Sequence, residues 1–205
     1  MDDDEVHCPQ CGWRPLLPVE RINGVVPLDD VLWSQLETAY GNGVEILACL
    51  RRIEAAAPEE AMSLWLAIDG WGAFLHQGSV YEGSFAGVPH LVRLAAKLPP
   101  ENAARHELLV LVGGIAGDGG ISIAQIERTD WRQGYMPECV RAMKRALPLI
   151  VESLATRPDE TTVRWLLAAI AGICGYGEMW HGIQNMDDEF ECAFCGKTAS
   201  RNSDV

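Results

Sequence analysis

Four cysteines of this chain fall in two matching pairs, Cys8-Pro9-Gln10-Cys11-Gly12 and Cys192-Ala193-Phe194-Cys195-Gly196. A C-x-x-C-G turn directs two sulfurs at one metal, and amides near the glycine hydrogen-bond to the thiolates. Together Cys8, Cys11, Cys192 and Cys195 can complete a tetrahedral Zn2+ site. Four thiolates leave no position for water, so such a site is structural rather than catalytic. Each pair has an aromatic neighbour, Trp13 and Phe194. About 180 residues separate Cys11 from Cys192, so a single site joins the two ends of the chain, as chain termini that lie close together allow. The same cysteines also suit a metal shared between protomers, or redox-active dithiols. Cys49, Cys139 and Cys174 instead fall on apolar faces of predicted helices, where a thiol behaves as a small buried hydrophobe.

The second group with chemical potential is His76-Gln77-Gly78-Ser79-Val80-Tyr81-Glu82. A hydrolase-type alternative uses His76 and Glu82, with Asp69 or His181 brought near by folding. A structural account uses the same residues: Gly78 frees the backbone at a turn, Ser79 caps the next helix, and His76 satisfies carbonyls at a helix end. Tyr81 then packs on the preceding helix. The chain contains no Gly-rich phosphate loop, no G-x-S-x-G elbow and no H-E-x-x-H. The glycines between Gly113 and Gly120 follow a helical pattern and have no lysine in place. No catalytic residue is assigned.

The elements that position these groups read as helices. Leu32, Leu36, Ala39 and Tyr40 form one helical stripe behind Asp29 as N-cap, ended by Gly41-Asn42-Gly43. Ile46, Leu47, Leu50 and Ile53 mark a second helix, and Pro58-Glu59-Glu60 opens a third with acidic residues in its first turn. Apolar residues from Met136 to Leu154 predict a long helix that Pro148 kinks or splits. Pro158-Asp159-Glu160 opens another, with Val163, Leu166, Leu167, Ile170 and Cys174 on one face. No segment alternates with period two for long enough to predict a strand before Glu189.

An internal repeat underlies the pattern. Leu108, Leu109, Gly114 and Ile115 recur as Leu166, Leu167, Gly172 and Ile173, while Leu66 and Gly72 form an earlier copy. The first spacing, about 42 residues, is that of two-helix repeat units. The later one is longer by roughly the polar stretch Asp118–Gly134, which reads as an insertion. Three inner helices result, each preceded by an outer one, with Gly72, Gly114 and Gly172 expected where helix backbones approach closely. The chain therefore divides into 1–28 with the first knuckle, 29–176 as the helical repeat domain, and 177–205 with the second knuckle and a flexible tail.

Two segments carry a resemblance to a family. Trp33-Ser34-Gln35-Leu36-Glu37-Thr38-Ala39-Tyr40-Gly41 and His76-Gln77-Gly78-Ser79-Val80-Tyr81, followed by Ala86-Gly87-Val88-Pro89-His90-Leu91, resemble bacterial HEAT-repeat proteins of actinomycete type. That family shows W-x-x-L-x-x-A-Y-G, then an H-Q-G-T-V-Y turn, then an A-V-P-F-L helix start. Here Ser79 stands for the usual threonine, Gly87 is additional and His90 replaces the phenylalanine. The resemblance implies an all-α fold: a short HEAT-like α-solenoid of antiparallel helix pairs. The knuckles add a small zinc-ribbon-like element formed by the two termini. HEAT arrays generally bind other macromolecules, so it implies little about catalysis.

Charge narrows the class of partner. The formal net charge is −13 over 205 residues, which repels phosphate backbones and anionic membranes and attracts basic proteins. Few basic residues flank the knuckles (Arg14, Lys197 and Arg201), so nucleic acid is not an expected partner. No apolar run approaches the ~20 residues needed to span a bilayer. The start, MDDDEVH, is acidic where a secretory signal is basic, and a cytoplasmic protein is expected. A small acidic repeat scaffold without a catalytic constellation reads as a protein-binding module. Its specific form is an immunity protein neutralising a basic bacterial toxin; a general regulatory adaptor is the alternative. Asp118, Glu127, Asp130 and Trp131 of the insertion are the aromatic-plus-acidic set expected to meet that partner.

Overall fold

The computed structural model describes residues 24–120, 134–184, 189–191 and 198–200. Among these residues the chain is mostly helical, with eight α-helices: α1 (Val44–Ala55), α2 (Ala61–Ala67), α3 (Gly70–Phe74), α4 (Glu82–Lys97), α5 (Ala103–Asp118), α6 (Met136–Ala155), α7 (Glu160–Ile173) and α8 (Gly177–Gln184). Three antiparallel strand pairs accompany them: β1 (Glu37–Thr38) with β2 (Gly41–Asn42), β3 (Leu75–His76) with β4 (Ser79–Val80), and β5 (Glu189–Glu191) with β6 (Thr198–Ser200). No helix among the described residues is long and apolar enough to cross a membrane.

Packing follows two rows. In one, α4 lies between α1 and α6; in the other, α5 contacts α2 and packs most extensively on α7. Across the rows α1 meets α2 and α3, α4 meets α5, and α6 meets α7. Helix α5 is the centre of the core, buried from Ala104 to Ala116 apart from Glu107. A helix apolar over most of its circumference is covered by neighbours on most sides, as α5 is. Arg105 and His106 are the buried polar exceptions: Arg105 donates to the carbonyls of Leu98 and Leu149, each at 3.0 Å, and to Glu152 at 2.6 Å, and His106 Nε2 lies 2.8 Å from the Pro100 carbonyl oxygen.

Local chemistry sets the helix starts. The Asn102 side chain accepts from the amides of Ala104 and Arg105, and that of Asp159 from the amide of Thr162. At α4, Ser84 rather than Ser79 performs the capping, because its hydroxyl accepts the Tyr81 amide at 3.2 Å. The two-residue loop of the β3–β4 hairpin is Gln77–Gly78, with φ of 52° and 74°. Positive φ at both central positions is the mirror-image turn that matches strand twist, which explains the glycine.

Several expectations from the sequence are corrected. The stripe from Leu32 to Tyr40 is not a helix. It is a 3-10 turn, Val31–Ser34, capped by Asp30 rather than Asp29, followed by the β1–β2 hairpin. Leu32 and Leu36 are buried as expected, but Tyr40 is 54% exposed, since the hairpin turns it outward. The third helix breaks at Asp69, whose φ of 47° is left-handed, giving α2 and α3. Pro148 does not split α6, which runs unbroken across it; Ala146, Ile150 and Ser153 are buried on either side and hold the turn against the lost amide. Pro89 lies inside α4, two turns from its start, and not at a helix start. Leu66 and Leu167, aligned with core positions of the repeat, are exposed.

The repeat glycines also differ in role. A Cβ on Gly172 would overlap the Gly113 carbonyl oxygen, and one on Gly113 would overlap the backbone of Ala169. Gly172 thus marks a close crossing of α5 and α7. Gly114 instead makes room for the Trp180 ring, 3.0 Å from a virtual Cβ, and Gly72 meets the carboxylate of its own N-cap, Asp69. Trp180, on α8, is fully buried among Gly114, Gly117 and Trp165, so α8 belongs to the same core.

Candidate functional site

The cleft that stands out runs along one face of α5, with a volume of about 590 Å3. Glu107 and Asp118 both line it. Eleven residues make just over three helical turns, a rise of about 16 Å, so Glu107 and Asp118 fall on one face of α5. Trp71 of α3 and the β3–β4 hairpin contribute residues on one side, and Thr161, Trp165 and His181 of α7 and α8 on the other.

Each carboxylate is held by an indole. Trp71 Nε1 donates to Glu107 Oε2 at 2.6 Å, and Trp180 Nε1 donates to Asp118 Oδ1 at 3.0 Å. An indole N–H is a neutral donor, so it orients the carboxylate without cancelling its charge. His181 Nε2 lies 3.4 Å from the same Asp118 oxygen, with the His181 side chain half exposed and that of Asp118 only 6% exposed. Burial pushes the Asp118 carboxyl above its ordinary value, against the Trp180 bond and the His181 charge, which act the other way. No lysine or arginine lines the cleft among the described residues. Its chemistry is therefore that of a partly apolar trough with a negative group towards each end.

A second polar group joins the two hairpins. Tyr40 Oη and His76 Nδ1 are 3.0 Å apart with their rings edge to face, and Glu82 Oε2 accepts the Glu37 amide at 3.4 Å. Burial raises the Glu82 carboxyl pKa; the Glu37 amide opposes this, and the Glu37 charge adds to it. His76 and Glu82 thus have separate partners. Asp69 caps α3, and His181 sits with Asp118 in the cleft. His76 bonds a phenol rather than the helix-end carbonyls expected of it.

Of the partner-binding residues read from the sequence, Asp118 lies in the cleft. Glu127, Asp130 and Trp131 lie outside the described residues, as do Cys8, Cys11, Cys192 and Cys195. Among the described residues no cluster of three or more His, Cys, Asp or Glu could hold a metal. Trp71, Glu107 and Trp165 escape a motif search. The signal that marks Glu107 is the carboxylate eleven residues on, Asp118, with no other acidic residue between them. Cys49 and Cys139 are buried as small hydrophobes, while Cys174 is half-buried at the end of α7.

No protein-family model, no curated protein and no solved structure matches the chain.

Proposed function

We propose that this chain is a non-catalytic, protein-binding scaffold built as a short HEAT-like solenoid, and that it acts as an immunity protein neutralising a basic toxin. The observation that carries this function is the cleft along α5, with its two carboxylates, on a chain of net charge −13. The two-row packing of α1, α4 and α6 against α2–α3, α5 and α7 supports a solenoid of three helix pairs, in which α8 covers one end through Trp180. Acidic inhibitors meet basic partners quickly because the long-range field steers the encounter. Electrostatic steering weakens with salt, which separates it from association driven by apolar contact.

The terminal cysteines fit the same scaffold as a structural clasp. Strands β5 and β6 pair with Glu191 opposite Thr198, bracketing the chain stretch that holds Cys192 and Cys195. Cys8, Cys11, Cys192 and Cys195 would hold one Zn2+ and contribute folding free energy by joining the ends.

The test is co-expression with each protein encoded beside it, followed by size exclusion and a growth assay. A stable complex that rescues growth from a toxic neighbour is expected, with an association rate that falls as NaCl is raised. A complex with a non-toxic neighbour would instead establish the adaptor alternative. Failure to bind any neighbour would overturn the immunity function.

A further inference from the structure

We propose that the α5 cleft receives an extended basic segment of the partner, with two arginine side chains four residues apart, one reaching Glu107 and the other Asp118. The inference rests on the protein-binding function and names the chemistry that its site recognises.

Size, spacing and charge converge on this occupant. A cleft of about 590 Å3 takes a short stretch of chain, whereas a helix with its side chains is about 10 Å across. In an extended strand, residues i and i+4 point to the same side and lie about 13 Å apart. Two arginine stems leaning outward cover the rest of the rise of about 16 Å between positions 107 and 118 of α5. Arginine suits the site better than lysine. Its planar fork pairs with a carboxylate already oriented by an indole, and its face stacks on an aromatic ring. Trp71 and Trp165, lining the cleft from α3 and α7, provide such rings. The long stem also matters at Asp118, whose carboxylate is nearly buried; the incoming guanidinium takes the place of the exposed His181 ring on it. Among the described residues no lysine or arginine of the chain itself lines this trough.

The probe is a fluorescein-labelled pentapeptide amide, Arg-Ala-Ser-Ala-Arg, titrated with the full chain and followed by anisotropy at low and moderate NaCl. Binding that weakens about tenfold when either arginine is replaced by citrulline is expected, since citrulline keeps the shape and removes the charge. Glu107→Gln and Asp118→Asn keep an oxygen for the indole bonds and should each weaken the peptide by a similar factor. The citrulline comparison uses the unaltered chain, so it stands even if a variant unfolds. Equal binding of the citrulline peptides, equal binding of a peptide with adjacent arginines, or no binding at millimolar peptide would each overturn the proposal. A partner complex unaffected by both variants would likewise overturn it while leaving the scaffold function intact.

Discussion

Gly113 on α5 and Gly172 on α7 meet so closely that a methyl group on Gly172 would fall on the Gly113 carbonyl oxygen. Helices normally pack with axes 8–10 Å apart, and only small residues permit the lower end of that range. The contact joins the helix along which the cleft runs to a helix on one side of it, so it fixes α7 against α5 in the core.

Replacing Gly172 by valine should therefore destabilise the chain by about 1–3 kcal/mol or more through overpacking. Gly182→Ala is the matched control: a Cβ there meets nothing within 4 Å, and alanine should be neutral or slightly stabilising. Thermal denaturation followed by circular dichroism compares the two. A Tm for Gly172→Val equal to the control would mean that α5 and α7 can separate at little cost.

Trp180 offers a second test. Trp180→Ala removes a fully buried indole, and truncations of that kind cost about 3–5 kcal/mol. Trp180→Phe keeps most of the ring but leaves Asp118 without its donor, at a smaller cost of about 1–3 kcal/mol. Urea unfolding should rank the wild type first, then phenylalanine, then alanine. If alanine is harmless, α8 does not belong to the cooperative core.

His90 makes stability depend on pH. It is buried, with Nε2 2.8 Å from the Val26 carbonyl and its ring near Trp33. Burial holds its pKa below the ordinary value; the neighbouring Arg93 charge acts the same way, while the Val26 bond and Glu54 oppose it. The folded state then binds fewer protons than the unfolded one. The stability present above pH ~6.5 is lost as the pH falls from there through the folded value, with a slope of at most about 1.4 kcal/mol per pH unit. Glu82 and Asp118 have raised values and act oppositely, losing stability as the pH rises through them. Comparing Tm between pH 7.5 and 5.5 for the wild type and His90→Gln isolates the histidine. An unchanged pH dependence in the variant would remove His90 from this role.

The buried thiols should resist alkylation. Burial pushes Cys49 up to about 12 and raises Cys139 further, so neither forms thiolate at pH 8. Iodoacetamide mapping by mass spectrometry should find both protected in the native chain and labelled in urea, with half-buried Cys174 modified first of the three. Fast native labelling of Cys139 would show that α6 opens readily.

Zinc supplies the last test. One equivalent of Zn2+ per chain is expected, and chelation or Cys8→Ser with Cys195→Ser should lower Tm clearly. Equal Tm with and without metal would remove the clasp.

Periodicity made most helices legible because a half-exposed helix must show an apolar stripe. It failed between Leu32 and Tyr40, where the same spacing belongs to a 3-10 turn and a hairpin, both of which also return side chains to the core at short intervals. The repeat pointed to Gly172 but not to Gly113, since an alignment records equivalent positions and not the partner across the crossing. The carboxylates of the cleft were visible as letters. Their indole partners were not, because Trp71 and Trp180 lie 36 and 62 residues away in the chain.

By itself the amino-acid sequence determined that this is a helical, acidic protein with an apolar central helix, since pattern, composition and charge are local or additive properties. Which residues face one another across α3, α5, α7 and α8 was decided only in three dimensions. Long-range packing set that register, and with it a trough carrying a negative group towards each end.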